Sequence, residues 1–547
     1  MSGDNGTRSA PAGGAPAHPP AEVVIGLDVG TTAAKVVAFG LGSDWRHTAI
    51  REYPLLAPQP GWQVQDPRAI GAAVLGALAE CADAAGRSSV VALSVSTAMH
   101  GVMGLDAALR PLTPLITWAD SRSREEARAL RADGTATEIY RASGTPVHPM
   151  TPLTKILWFT RHESELASRV RWWAGLKDYV LTLLTGTLAT ELSSASGTAL
   201  LDLSTRDWNP AAVALAGISR DQLPQVLSTT AALGLREDVA RRVGLPSGLP
   251  VVVGAGDGPL GNLGTGAMAP GVVGLSLGTS GAVRMVVPEP RLDPDGRLFC
   301  YALTEDHWVV GGAVSNGGAV VRWAGGIFGS DLSGADPDAP ADAELLALAD
   351  TVPPGSDGLV MLPYLLAERA PLWDPDLTGA FLGLRHGHTR GHFVRAAVEG
   401  VALQLSTIVD ALDDIEPVTS IRATGGVFRS QLWRRVMTGA LARPLAVTGG
   451  AEGSALGAAA LALYALGRSP DLPPAVELLG PPRSDDEAAP TLAVEPSAEE
   501  VASYARLRAL VPELLAAYDG VARLFAHAAG EDREATLDSA APTPAAG

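Results

Sequence analysis

The chain runs to 547 residues with 47% hydrophobic content, a globular composition with length for about two to four domains. Its 59 acidic residues outweigh 41 basic ones for a formal charge of −18, and no Lys/Arg run or basic stripe with interleaved aromatics occurs, so no nucleic-acid partner is expected. The Gly-, Ala- and Pro-rich N-terminus has no apolar segment of signal length and no apolar run approaches the ~20 residues of a membrane span, so a cytoplasmic protein with no membrane partner is the expectation.

Residues up to about Pro20 are of low complexity and are expected to be disordered. Order begins at Val23. The stretch VVIGLDVGTTAAKVVAFG reads as a hairpin, with strands at Val23–Val29 and Lys35–Phe39 around a turn at Gly30–Thr32. Thr31 and Thr32 offer hydroxyls and N–H groups at a bend where Gly30 lets an anion come close, and Asp28 stands at its mouth. Taken singly, this is an ordinary hairpin with polar turn residues. Its weight comes from a second copy, because GLSLGTSGAVRM at Gly274–Met285 aligns without gaps with GLDVGTTAAKVV and repeats Gly-Leu-x-x-Gly-Thr. Two such hairpins suggest two related domains, each opening with a phosphate-cradling turn. Hairpins paired across a cleft are the arrangement of the actin-like ATPase fold. That fold holds a nucleotide without a G-x-x-x-x-G-K-[ST] loop, and no loop of that form is present.

Pro67–Ala85 is Ala/Leu-rich and helical. Cys81 within it reads as a packed thiol, as does Cys300 in the strand-like run around Phe299 and Tyr301. No C-x-x-C or H-E-x-x-H spacing exists, so a structural zinc site is not expected. VVALSV, Val90–Val95, is a continuous apolar strand that ends in Ser-Thr-Ala-Met-His-Gly. Polar groups just past the carboxyl end of a buried strand are where open α/β sheets put ligand contacts, so Met99, His100 and Gly101 are candidates for a substrate wall. LITWADSR, Leu115–Arg122, repeats the design. Trp118 can pack on the C–H face of a sugar while Asp120 and Arg122 bond its hydroxyls, or Arg122 a carboxylate; a helix start with a solvated Asp–Arg pair is the plainer alternative. His148, Lys155 and the Lys177–Tyr179 triplet suit structural roles, and Trp172 and Trp173 suit the core.

VVVGAGDGPLGNLGTG, Val251–Gly266, sets one carboxylate, Asp257, among glycines between a buried strand and a helix-compatible run. Asp and Gly are common turn residues, but the same arrangement leaves a carboxylate open to close approach by a ligand. Farther on, His307–Gly318 reads as a strand and a glycine-rich turn entering a helix, with Asn316 and Gly318 as candidates to admit a nucleotide. Phe393–Leu412 has helical periodicity and delivers Ile421–Ala423 into Thr-Gly-Gly-Val-Phe-Arg-Ser. There Gly425 and Gly426 stand between a strand and the helix Gln431–Leu441, where bare backbone can take a flat base or a phosphate. Leu445–Thr448 reads as a further strand, AEGSALGAAALALYALG as a helix with small residues for tight packing, and Val501–Phe525 as an amphipathic helix before a frayed end of about 15 residues.

The order of these pieces, from about Val23 to Gly467, resembles the FGGY family of carbohydrate kinases. The resemblance implies an α/β architecture of two actin-like (ribonuclease H-like) ATPase domains with a nucleotide cleft between them. It places the domains at 21–268 and 269–470, with a disordered tail at 1–20 and a C-terminal extension at 471–547. Asp257 corresponds to the catalytic base. Asp28 corresponds to the ligand of Mg²⁺ through water, with Asp257 beside the ion. Gly30, Thr32, Lys35, Gly278, Thr279 and Ser280 fall on the phosphate side of ATP, Gly425, Gly426, Val427 and Arg429 on the adenine side, and Gly318 also among the nucleotide contacts. Thr31, Met99, His100, Gly101, Trp118, Asp120 and Arg122 fall around the substrate.

Within the family, TAMHG, TWADSR, GTPVHPMTPLTK and SNGGAVVRW look most like gluconokinases, although Met-His-Gly is shared with xylulokinases and Ser121 stands where gluconokinases of this type tend to have Asn. The implied reaction is ATP-dependent phosphorylation of D-gluconate to 6-phosphogluconate. A xylulokinase or another sugar or polyol kinase is the nearer alternative, and a non-catalytic actin-like sensor the more distant one. Asp257 favours an enzyme, because a sensor needs no base at that turn. The expected partner is a small-molecule sugar acid or sugar, with a homodimer as a candidate assembly.

Overall fold

Both hairpins form in the structure, a computed structural model that describes residues 20–329, 341–449, 452–480 and 491–538. In the first, Val23–Val29 pairs antiparallel with Ala33–Gly40, Asp28 stands opposite Lys35, and the Gly30 N–H donates to the Ala33 carbonyl at 2.9 Å. In the second, Val272–Leu277 pairs with Gly281–Val287, and the Gly278 N–H donates to the Ser280 carbonyl at 2.9 Å.

Each hairpin founds one sheet, and the two sheets share a plan. In the first, Val23–Val29 lies between its hairpin partner and the parallel strand Val90–Thr97, beyond which Pro250–Gly256 is also parallel; Arg46–Glu52 extends the other side. In the second, Val272–Leu277 lies between its hairpin partner and the parallel strand Ser420–Thr424, followed by parallel Leu445–Val447, while Trp308–Val314 extends the other side. The repeated motif of the sequence is therefore a repeated topology. Near-continuous Val, Ile, Leu and Ala runs suit these strands, since parallel strands are covered on both faces. Because three parallel strands of the first sheet end at one edge, they deliver Asp28, the Met99–His100 loop and Asp257 to the same place.

The last of those strands is irregular. Its register against Val90–Thr97 shifts between Val252 and Ala255, and Gly254 adopts φ +78°, where an added Cβ would strike the Val95 carbonyl. After Gly256 the chain turns directly into the helix Asp257–Gly264, so Asp257 opens a helix and does not sit in an isolated turn. That helix packs against Gly453–Ala465, which comes from the second half of the chain. Glycine makes the contact possible: a Cβ on Gly264, Gly457 or Gly26 would meet the backbone carbonyl of Gly453, Leu260 or Ala455, respectively.

The chain beyond 470 touches both halves: the Gly42 N–H donates to the Leu478 carbonyl at 3.0 Å and Arg46 to the Leu479 carbonyl at 2.9 Å, while the later segments join the second half. Leu492–Val494 adds an edge strand next to Leu445–Val447, and the helix expected at Val501–Phe525 spans Ala498–Asp538. Its Tyr504 is fully buried, accepting from Arg395 at 3.0 Å and donating to Glu399 at 2.9 Å. The expected disorder up to Pro20 falls on residues that, but for Pro20, lie outside those described, as do 539–547 of the expected frayed end. Among the described residues no helix is long and apolar enough to cross a membrane. Cys81 and Cys300 are free, buried thiols, each pushed up to about 12 by burial.

Candidate active site

Two cavities meet at Gly278. One, of about 270 Å³, is lined by Thr31, Met99, His100, Trp118 and Asp257 from the first half of the chain. Ser276, Ser280, Arg284, Tyr301 and Arg369 close it from the second half. The other, of about 750 Å³, is lined by Gly278, Thr279, Gly318, Gly426, Val427, Arg429 and Trp433. Of the residues assigned to the substrate, Thr31, Met99, His100, Trp118 and Asp257 line the smaller cavity, together with Gly278 and Ser280 of the nucleotide set, whereas Thr279, Gly318, Gly426, Val427 and Arg429 line the larger one.

In the smaller cavity, Asp257 accepts from the Gly258 N–H at 2.8 Å. Burial pushes its pKa up, and the Arg284 cation and the Gly258 N–H only partly oppose that. Asp28 is raised to about 6, first by burial and then by the negative charge of Asp257, although the Ser96 hydroxyl donates to it at 2.9 Å. Two nearby carboxylates whose protein cations do not restore their usual acidity form a hard oxygen donor set that fits a divalent cation such as Mg²⁺.

A buried ammonium supports the strand that presents Asp257. Lys177 donates to the carbonyls of Val95, Val253 (2.8 Å) and Ala255 (3.0 Å), the first two on residues that the register shift leaves unpaired between the two strands. Glu191 lies 3.9 Å away and caps the Ser193 and Ser194 N–H groups, and the Ser193 hydroxyl accepts from Gly256 N–H at 3.1 Å. Burial lowers Lys177 to about 8 even with this acid beside it.

Lys155 does the same for the loops that carry Met99, His100 and Trp118. It is fully buried and donates to the carbonyls of His100 (2.9 Å), Thr117 (2.6 Å) and Met150 (2.7 Å), which ties the Met99–Gly101 loop to the Trp118 loop. Removal from water lowers it to about 7. His100 is held at φ +65°, a left-handed conformation that a side chain adopts only under outside constraint. Its Nδ1 bonds the Gly197 carbonyl at 2.7 Å, and burial, with Lys155 and Arg369 nearby, lowers it to about 3. The ring is therefore neutral, with Nδ1 the protonated nitrogen and Nε2 an acceptor.

Trp118 donates from Nε1 to the Thr31 hydroxyl at 2.9 Å and lies under the Arg369 guanidinium, 4.6 Å from its ring centre. Asp120 and Arg122 do not line the cavity. They form a two-bond pair at 2.8 Å with side chains 0% and 3% exposed, and the guanidinium lies 3.6 Å from the Trp62 ring centre. The plainer sequence reading, an Asp–Arg pair, describes this contact, except that it is buried among aromatics instead of solvated. Gly101 lines another cavity, of about 40 Å³, which shares Met99 and His100 with the Asp257 cavity.

On the nucleotide side, Gly425 has φ +123° and a Cβ there would meet the Leu277 carbonyl, which brings the Gly-Gly loop against the second hairpin. The N–H of Gly318 donates to the Gly278 carbonyl at 2.7 Å. Asn316 does not reach the cavity: its amide is spent on Leu366 and Glu368 and on the N–H groups of Leu365 and Leu366. Gly30, Thr32 and Lys35 belong to the first hairpin beside Asp28, and Lys35 pulls the Asp28 pKa down.

Sequence reasoning missed Arg284, Tyr301 and Arg369. For Arg284 a signal existed, a single cation in the otherwise apolar strand GAVRMVV. Residues 23–264 match the N-terminal domain, and residues 273–466 the C-terminal domain, of the FGGY family of carbohydrate kinases. The chain belongs to that family. The kinase is 39% identical to the gluconokinase of Bacillus subtilis (strain 168) over 466 residues, 84% of this chain and 90% of that protein. It is 33% identical to the xylulose kinase of Escherichia coli (strain K12) over 448 residues, 81% and 90% of the two chains. Among solved structures, gluconate kinase from Lactobacillus acidophilus superposes with a TM-score of 0.84 at 32% identity, covering 92% of this kinase and 99% of that chain. The two-domain kinase fold is thus that of a carbohydrate kinase, a family that uses ATP as phosphate donor.

Proposed function

We propose that this FGGY kinase transfers the γ-phosphoryl group of ATP to D-gluconate, giving 6-phosphogluconate. The observation that carries the reaction type is Asp257 in a cavity of about 270 Å³ that adjoins, through Gly278, a larger cavity floored by glycine backbone. Phosphoryl transfer needs positioning and charge stabilisation more than covalent help from the protein. Asp257 accepts the proton of the attacking hydroxyl, and its raised pKa suits that task. Thr31, Met99, His100 and Trp118 orient the acceptor, with His100 accepting a hydroxyl hydrogen at Nε2. The turns at Gly30–Thr32 and Gly278–Ser280 hold the phosphates, and Gly425–Arg429 with Trp433 the base. Asp28, through water, and Asp257 would hold Mg²⁺, which when bound neutralises phosphate charge. The Asp120–Arg122 pair supports the Trp118 loop from behind.

Gluconate as the acceptor is supported by the names of the gluconokinase relatives, at 39% identity against 33% for a xylulose kinase. Xylulose is the second reading, favoured by that relative and by the Met-His-Gly wall. An ADP-release assay across gluconate, xylulose, ribulose and glycerol tests the choice. Gluconate should give the highest kcat/KM, by about tenfold or more over any neutral acceptor. A higher value for xylulose would overturn the assignment.

A further inference from the structure

Two hydrogen-bond donors in the Asp257 cavity have nothing to donate to. The Arg284 Nε and the Tyr301 hydroxyl are cut off from solvent without a partner among the described residues, and both side chains line that cavity. Unmade bonds at buried donors are costly, and two such donors on residues that wall one cavity point to an acceptor ligand around which the wall adjusts. Otherwise the guanidinium makes one long contact, Nη1 to the Ser276 hydroxyl at 3.4 Å. Asp257 is its main electrostatic neighbour, followed by Tyr301, and no carboxylate forms an ion pair with it among the described residues.

Arg369, the other cation of this wall, is already committed. It donates to the Ser315 hydroxyl at 3.2 Å and the Val314 carbonyl at 2.9 Å, and its face lies on Trp118. Tyr301 is held in place by stacking on Phe299, with ring centres 4.2 Å apart and planes 2° from parallel, and by the His100 ring at 5.6 Å. Its hydroxyl is thus fixed in position before any ligand arrives.

We infer that Arg284 and Tyr301 bind the carboxylate of an aldonic acid acceptor and so set the preference for a sugar acid over a neutral sugar. The inference rests on the gluconate reading and adds the residues that enforce it. A carboxylate can satisfy both donors and adds a counter-charge for the desolvated guanidinium, whereas a sugar hydroxyl adds no charge to that of Asp257. The competing anion at the same place is the γ-phosphate of ATP, which would make Arg284 indifferent to the acceptor.

The test is the ratio of kcat/KM for gluconate to that for xylulose, with the KM for ATP, in the wild type and in Arg284→Met, Arg284→Lys and Tyr301→Phe. Arg284→Met should lower the ratio by about tenfold or more, mainly through the KM for gluconate, and Arg284→Lys should recover only part of it because an ammonium lacks the planar fork. Tyr301→Phe should lower the same ratio by about threefold to tenfold, which keeps the question answerable if Arg284→Met does not fold. Equal losses for both acceptors with a raised KM for ATP would overturn the inference and assign Arg284 to the transferred phosphate. A wild type that prefers xylulose contradicts the gluconate reading itself. A wild type that prefers gluconate with a ratio unmoved by all three variants contradicts this inference alone.

Discussion

Asp28 shows what the site costs the fold. Its carboxyl titrates near 6 because burial and the charge of Asp257 both resist ionisation. A carboxyl raised in this way adds stability below its ordinary value near 3.8, and that contribution is lost as pH rises through about 6. Asp28→Asn should therefore raise the melting temperature of the metal-free kinase at pH 8, equivalent to about 1–2 kcal/mol given the partial exposure of the residue, with little change near pH 4. The same variant should lose most turnover if Asp28 holds the ion through water. Melting curves in a chelator at the two pH values, with a turnover assay, check both; an unchanged or lower melting temperature at pH 8 counts against the burial account. Because Asp28 and Asp257 titrate as neighbours, an acid limb in the pH–rate profile belongs to the pair, and added Mg²⁺ should move it to lower pH.

At the scale of elements, the position of Asp257 depends on groups remote in sequence. The three carbonyls on Lys177 lie 76 to 82 residues from it, on two strands. Lys177→Met would strand those carbonyls and leave Glu191 buried without its cation, a loss on the order of 3–5 kcal/mol. Adding Glu191→Gln, which removes the charge but keeps an acceptor for the Ser193 and Ser194 N–H groups, should restore part of it. Urea unfolding of both variants measures the difference; a double variant less stable than the single one would refute the pairing. Such contacts also explain what could be read in advance. Local patterns carried the helix at Pro67–Ala85, the helix at Gln431–Leu441 and both hairpins, since turn chemistry and periodicity act within a few residues. LITWADSR was harder. It yields only the two-residue strand Leu115–Ile116, and the partners of Arg122, Trp62 and Trp158, are brought in by folding. Arg284 was visible as a charge in an apolar strand, but its lack of a partner is a property of the assembled cavity.

At the scale of the molecule, hydrogen bonds join the two halves, the smaller cavity is lined from both, and the larger one is lined by the second half alone. The Cys300 N–H donates to the Gly144 carbonyl at 2.8 Å, the Ala302 N–H to the Ser196 hydroxyl at 3.1 Å, and the Tyr140 hydroxyl to the Leu298 carbonyl at 2.9 Å. Gly453–Ala465 crosses back to pack on Asp257–Gly264, so movement of either half is felt where the base stands. On the proposed reading each half supplies one phosphate turn, the first half supplies the base Asp257, and the second supplies Arg284, whose Nε lacks a partner among the described residues. The most direct test of this division of labour is transfer of labelled γ-phosphate from ATP to gluconate by Asp257→Ala, with nucleotide affinity measured on the same protein. The variant should bind ATP as the wild type does when affinity is measured without Mg²⁺, and transfer label at least about 10²–10⁴-fold more slowly. Transfer near the wild-type rate would contradict Asp257 as the base.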